Sequence, residues 1–375
     1  MNTASFVQDD IVPAIAGLIQ PTTINRQQNG AIVVRGHLLT SADQVYRPLR
    51  ARFERIGYTP FLRPAQDGVE LIAVPGVIER RPQRWKLNLV LFIATVLSVL
   101  ATGALSEVMA RGVAPETLLR DPRLLQFGIP FTATLLGILF THEMGHYIVS
   151  RLRGAPASLP YFIPIPPLII PGLGVLTVTG TLGAVIVQRE PFENRRTLLE
   201  VAVAGPLAGL VVAIPLLLYG LATSTITPLQ PGYTLEGNSI FYGLAKYLVF
   251  RQWLPGGGVD VQLNSVAWGA WIGLLVTMIN LLPAGQLDGG HIAYALLGAR
   301  AEWLAYGMML LCLGLGISGA TSWLVWVLLI GLMGPRHPPL FNEVVQLRPV
   351  HVVLGVLGLI AFILLFIPYP FSTVT

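Results

Sequence analysis

Charge is the scarcest feature of this 375-residue sequence: Asp, Glu, Lys and Arg together make up 11% of it, against 53% hydrophobic residues. Soluble globular chains carry about a quarter charged residues. An ordinary soluble protein is therefore excluded for the chain as a whole, and a membrane protein is the class to test first. Cysteine is nearly absent. The single Cys312 lies in an apolar run and excludes an intrachain disulfide framework. The net charge of +5 sits mostly in loops flanking apolar runs, not on the basic face of a folded domain, so the expected partners include the lipid bilayer and exclude nucleic acid. The opening MNTASFVQDD has no basic n-region and no apolar h-region, so no cleavable signal peptide is expected. Internal repeats are missing as well, and with them the paired half-sequences typical of transporters.

What is present divides in two. Residues 1–80 carry charges throughout and read as a small cytosolic α/β domain, with a regulatory role as one possibility; residues 81–375 read as a membrane domain. In the first part GAIVVRGHLL, YTPFLR and VELIAV read as strands, the last two joined by the turn signal Gln66-Asp67-Gly68. Ser41-Ala-Asp-Gln44 has the form of a capping box before a helix whose stripe is Val45, Leu49, Phe53 and Ile56, with Pro48 as a potential break. A βαββ unit of this size is marginal alone and needs a neighbour to lean on.

A bilayer-spanning helix needs roughly 20 apolar residues. The expected spans are 87–106, 125–150, 198–222, 264–283, 303–318, 321–334 and 350–368, the sixth being short. The fold class is thus an α-helical polytopic membrane protein of six or seven transmembrane helices. Arg80, Arg81, Arg84 and Lys86 precede the first span and place the N-terminus in the cytoplasm. Arg111, Arg120, Arg123, Lys246 and Arg251 fall on the opposite side by the same count. Residues 159–188 fit no simple span: Pro160, Pro164, Pro166, Pro167 and Pro171 exclude a continuous helix, and the Gly-punctuated second half has strand character. Irregular backbone at membrane depth must be covered by protein or line a cavity, so a re-entrant hairpin is expected there. Residues 235–252 place Ile240, Phe241, Leu244 and Leu248 on one face, as an interfacial helix does.

The chemistry-bearing signal is His142-Glu143-Met144-Gly145-His146, at the end of the second span. Helical spacing sets the two histidines about 40° apart on one face, ready to share a zinc ion. Glu143 lies beside them, where it can take a proton from water. Ionisable groups in an apolar helix are costly unless paired or metal-bound; the plain alternative is a polar cluster that joins helices. A catalytic zinc takes three protein ligands and leaves a fourth position open. Asp288, in Asn280-Leu-Leu-Pro-Ala-Gly-Gln-Leu-Asp288-Gly-Gly-His291, lies at the matching depth, with Pro283, Gly285, Gly289 and Gly290 expected to break the helix and turn it inward. His291 is the rival third ligand, or a support for the first three. Asn280 is either an oxyanion donor or an interhelical hydrogen bond.

HEMGH, AGPLAG at 204–209, and N-x-x-P with LDGG at 280–290 occur in an order and spacing that resemble the site-2 protease family, intramembrane zinc metalloproteases. The resemblance covers about residues 125–300. It implies one zinc ion per chain held by His142, His146 and Asp288, Glu143 as general base, and Asn280 as a substrate or oxyanion contact. The 172–187 region looks like the family's membrane-embedded β-hairpin, with Gly180, Thr181 and Gly183, alongside Asn280, as substrate-binding residues. The expected function is hydrolysis of peptide bonds in transmembrane or membrane-anchored proteins near the cytoplasmic face. No PDZ domain fits between the motifs. That lack, the N-terminal domain and Gly334-Pro-Arg-His-Pro-Pro339 look like a bacterial relative of the PDZ-less chloroplast and cyanobacterial branch, so a bacterial inner membrane is the expected location. The substrate and the oligomeric state are not readable from the sequence.

Overall fold

Alternation of apolar and polar residues builds the N-terminal sheet. The computed structural model describes residues 10–78, 83–167, 169–170, 174–175 and 179–374; Arg80 and Arg81 of the basic flank lie outside them. Strands β1 (Ile19–Arg26), β2 (Ile32–Leu38), β3 (Tyr58–Ala65) and β4 (Gly68–Pro75) form one antiparallel sheet in the order β1-β2-β4-β3. Helix α1 (Ala42–Arg55) packs against it, with Val45, Leu49 and Phe53 fully buried as the stripe predicts. The expected βαββ unit thus gains a strand. β1 escapes the periodicity because it is an edge strand that buries only Ile19 and so needs no alternation. Gln66-Asp67 makes the expected two-residue turn, Ala65 pairing with Gly68 at φ +105°.

Two local expectations fail. Ser41 precedes α1, but its side chain makes no capping bond. Pro48 sits inside α1 without ending it. The carbonyl that loses its partner to Pro48 belongs to Gln44, which is exposed and solvated at the start of the helix.

Among the described residues, four helical stretches are long and apolar enough to cross a membrane. They are α2 (Trp85–Ala110), α3 (Ile129–Arg153) with the 3-10 turn Pro122–Gly128 before it, α4 (Arg195–Ala222), and the stretch from Asp288 to Ile317. Between the last two lie the shorter apolar helices α5 (Ile240–Phe250) and α6 (Ser265–Asn280). The fourth stretch joins α7 (Asp288–Leu297) to α8 (Ala301–Ile317), followed by α9 (Ser322–Met333) and α10 (Pro349–Leu365). Among the expected spans, α6 and α9 are short, at 16 and 12 residues. Lys246, expected on the far side within the interfacial helix, is fully buried on α5 with Nζ 3.0 Å from Asp260 and 3.1 Å from Glu236. Ile240, Leu244 and Leu248 occupy the exposed face of that helix, as expected.

In the proline-rich segment, β5 (Tyr161–Pro164) pairs antiparallel with a later strand, Thr181–Val185, and the two-residue strands Ile169–Ile170 and Gly174–Val175 pair beyond it. In chain order these become β6, β7 and, for Thr181–Val185, β8. The remainder of the expected hairpin tip, residues 168, 171–173 and 176–178, lies outside the described residues.

One strand-like segment ties the sheet to the helices. Leu62 of β3 exchanges backbone bonds with Phe341 and Glu343 (2.8 Å each), while Phe341 and Asn342 donate to the carbonyls of Phe192 and Glu193 just before α4. Phe341 is a core residue of the N-terminal domain, its ring 5.4 Å from Phe61 and 5.9 Å from Tyr46. Burial in that contact lifts the Tyr46 phenol above its ordinary range. Removing a buried Phe ring costs about 3–5 kcal/mol. Phe341→Ala is therefore expected to speed hydrogen exchange of β3 and β4 amides sharply while α3 and α4 keep their protection; unchanged exchange in the sheet would show that the strap carries no stability.

Candidate metal centre

Close approach of α3 and α4 creates the site. A Cβ on Gly145 would lie 2.6 Å from the carbonyl oxygen of Ala204, so the two helices meet backbone to backbone. On α4, Gly205 and Gly209 stand opposite the two histidines: a Cβ at Gly205 would come within 2.1 Å of His146 Nε2, and one at Gly209 within 3.2 Å of His142 Cβ. The AGPLAG motif is thus the space the imidazoles occupy. His146 lies seven residues before Arg153, about 10 Å of helix rise from the end that faces the N-terminal domain.

Asp288 arrives from the far side. α6 ends at Asn280, and residues 281–287 turn tightly before α7 begins at Asp288. The aspartate is therefore the first residue of a new helix, not the end of the preceding one. Its carboxylate gains from the exposed N–H groups of that helix start. Gly289 and Gly290 lie within α7 and do not break it; a Cβ on either would collide with the carbonyls of Leu281 or Gly285, so they let the turn fold back against the helix.

His142 Nε2, His146 Nε2 and Asp288 Oδ2 converge, with separations of 3.2, 3.1 and 3.2 Å for His142–Asp288, His146–Asp288 and His142–His146. His146 Nδ1 lies 2.7 Å from the Val201 carbonyl. A carbonyl only accepts, so Nδ1 carries the proton and Nε2 turns its lone pair into the cluster. That lone pair faces a carboxylate oxygen, an arrangement a cation between them satisfies. Tetrahedral zinc, with bonds of about 2.0–2.1 Å to nitrogen and oxygen, holds its ligand atoms about 3.3–3.4 Å apart. Donor set and spacing both fit.

Glu143 is buried beside the cluster and makes no hydrogen bond among the described residues. Asn280 Nδ2 reaches 3.3 Å from His142 Nε2. These residues line a cavity of about 190 Å3 together with Ala184, Val185 and Ile186 from the hairpin, and Ser150, Gln188 and Gln286. Ser150 Oγ and Gln188 Nε2 are buried there without a partner, which marks positions for water or for a ligand's polar groups.

His291 lines the cavity but stands outside the three-ligand group; its Nδ1 lies 2.7 Å from Nε2 of His337 instead. Gly180, Thr181 and Gly183 do not line the cavity. Gly180 packs on α2, its carbonyl accepting from Ser98 Oγ at 2.7 Å, and the Thr181 hydroxyl donates to the Ile163 carbonyl at 2.8 Å. The hairpin meets the metal cavity a few residues later, where β8 and Gln188 run past α3. Sequence reading also missed Ser150, although it follows His142 and His146 at the same i+4 spacing.

Residues 130–315 match the profile of Peptidase family M50. The chain belongs to peptidase family M50. Among its relatives, "Probable zinc metalloprotease EGY2, chloroplastic" from Arabidopsis thaliana is 32% identical over 257 residues, 66% of this chain and 43% of the relative. Its namesake from Oryza sativa subsp. indica is 34% identical over 260 residues, 65% and 43% of the two chains. "Probable zinc metalloprotease EGY1, chloroplastic" from Arabidopsis thaliana is 26% identical over 307 residues, 76% and 53%. The chain therefore spans about half the length of these relatives, or less. They overturn one expectation of the sequence reading: chloroplastic relatives point to a plastid membrane, not to a bacterial inner membrane.

Two outcomes follow from this geometry. Gly205→Ala should displace His146 and cut the zinc retained per purified chain severalfold, while Gly137→Ala on α3, where a Cβ meets nothing within 4 Å, should leave zinc unchanged by elemental analysis. The second concerns pH. Burial pushes the His337 imidazole down from 6.5 to about 4, against the opposing pull of the Pro338 carbonyl. A depressed folded-state value means that the unfolded chain binds the proton first, so stability is complete above pH 6.5 and is lost as pH falls towards 4. His337→Gln should flatten that part of the melting-temperature profile; an unaltered profile would remove His337 as its source.

Proposed function

We propose that this chain is a zinc-dependent endopeptidase that cuts membrane-anchored proteins within or beside the bilayer, near the face that carries the N-terminal domain. The observation that carries this reading is the convergence of His142, His146 and Asp288 within 4.8 Å, with Glu143 buried in the same cavity. One zinc ion per chain would be held by those three side chains. Bound there, it supplies Lewis acidity, polarising a carbonyl and acidifying water.

The chain's own residues do the rest. Glu143 accepts a proton from the attacking water and returns it to the departing amine. Asn280 stands where its Nδ2–H can donate to the carbonyl oxygen as negative charge builds there. A transmembrane substrate must first unwind, because a helix hides its own carbonyls. Among the described residues no strand pairs with the second edge of β8, and its residues Ala184 and Val185 line the cavity. An extended substrate segment gains backbone bonds along that edge, in a setting where lipid offers none. Ser150 and Gln188 extend the polar lining towards the N-terminal domain, the direction from which water enters.

The wider architecture follows the same reading. The described strands β5 to β8 belong to a re-entrant hairpin, and α6, α9 and α10 join the four long stretches to give six or seven crossings. Residues 1–80 form a domain of their own with a regulatory role, and residues 81–375 form the membrane protease. The experiment that tests the reading is co-expression with a panel of membrane-anchored reporter proteins. Glu143→Gln should reduce cleavage at least a hundredfold, the lower range for a lost general base, while zinc content stays at the wild-type level. Cleavage at the wild-type rate by that variant would rule the mechanism out.

A further inference from the structure

Away from the metal, a cavity of about 440 Å3 lies where the ends of α3, α4 and α10 meet α1 of the N-terminal domain. Its walls are mostly charged. Three arginines there are already matched: Arg47 with Glu193 at 3.3 Å, Arg196 with Asp43 at 2.8 Å, and Arg153 with Glu200. Two others, Arg151 and Arg348, also line the cavity and make no ion pair among the described residues. The site therefore keeps two uncompensated positive charges. Arg348 caps α10, so the positive end of that helix adds to the same field.

The surroundings say what the anion is attached to. Ile148 and Leu152 on α3 are 49% and 77% exposed, and Val350 and Val353 on α10 are 58% and 56% exposed. Apolar faces of two helices thus rise directly from the charged cavity. Water against those side chains is unfavourable, and lipid tails would cover them. A basic pocket between helix ends at the membrane boundary is the geometry that recognises an acidic headgroup, and arginine forks match a phosphate through paired N–H donors.

We infer that this cavity is a binding site for the phosphate headgroup of an anionic phospholipid, held by Arg151 and Arg348, with the acyl chains along the exposed faces of α3 and α10. Because Asp43 and Arg47 belong to α1, the bound headgroup sits under the N-terminal domain. The lipid then fastens that domain to the membrane helices.

The test uses full-length protein in phosphatidylcholine nanodiscs containing either spin-labelled phosphatidylglycerol or spin-labelled phosphatidylcholine, with the immobilised lipid fraction read by electron paramagnetic resonance. The wild type should immobilise phosphatidylglycerol in strong preference to phosphatidylcholine. Arg151→Gln with Arg348→Gln should lower that preference about 30-fold, the effect of two basic side chains near an anionic surface. The charge-keeping pair Arg151→Lys and Arg348→Lys should retain most of it, and Arg120→Gln with Arg123→Gln, at the other end of the bundle, should retain all of it. Equal immobilisation of both lipids by the wild type would overturn the assignment without any variant. So would an undiminished preference in the Gln pair. Release of the labelled lipid by excess inorganic phosphate would identify a free-phosphate site and overturn the lipid assignment equally.

Discussion

Two imidazoles and a carboxylate drawn to within about 3.2 Å of one another inside apolar helices set the terms for the rest of the fold. Each group is costly in such surroundings unless something offsets it. Part of the compensation is local: the Val201 carbonyl fixes one ring, and the start of α7 supports the carboxylate. The remainder is what a cation shared by the three lone pairs would supply. Placing them so closely has a steric condition as well, met by Gly205 and Gly209, which leave the rings the volume that any larger side chain would fill. The small residues of α4 and the polar residues of α3 are therefore one feature seen from two helices.

The second condition falls on the backbone between α6 and α7. A continuous helix carries Asp288 past the histidines; a break delivers it to them. Ending α6 at 16 residues shortens it below a comfortable span. The site is obtained at the expense of regular architecture, a local irregularity of the kind expected where function overrides propensity. The hairpin is a second such irregularity. Among the described residues its strands pair only with each other, which leaves an edge of β8 along the cavity.

The side chains that converge at the site stood out in the sequence because i+4 spacing and ionisable residues in an apolar run leave few alternatives. Asp288 was legible as a residue but not as the start of a helix, since Gly289 and Gly290 look like breakers when only propensity is considered. Their role is close approach, and no local pattern reports what lies across from a glycine. The same limit hid Gly205 and Gly209, quoted from AGPLAG as a signature with no physical reason attached. β1 was missed because an exposed edge strand has no periodicity to read. Along the hairpin, glycines attract attention, yet Gly180 packs against α2, and the cavity is met by Ala184, Val185 and Ile186. Segment 341–343 gave no signal at all. Its partners are Leu62 and Phe192–Glu193, far away in the chain, and only the fold brings them together.

That segment has a bearing on how the molecule comes into being. The N-terminal sheet is synthesised before the long helices that follow it, yet one of its core rings, Phe341, and a bond from Asn342 to the Ala42 carbonyl at 3.0 Å come from about 300 residues later. Until α9 has been made, the sheet lacks a piece of its own interior. Completion of the domain therefore waits until the helices from α2 to α9 have been made. The order of birth and the order of maturation run in opposite directions.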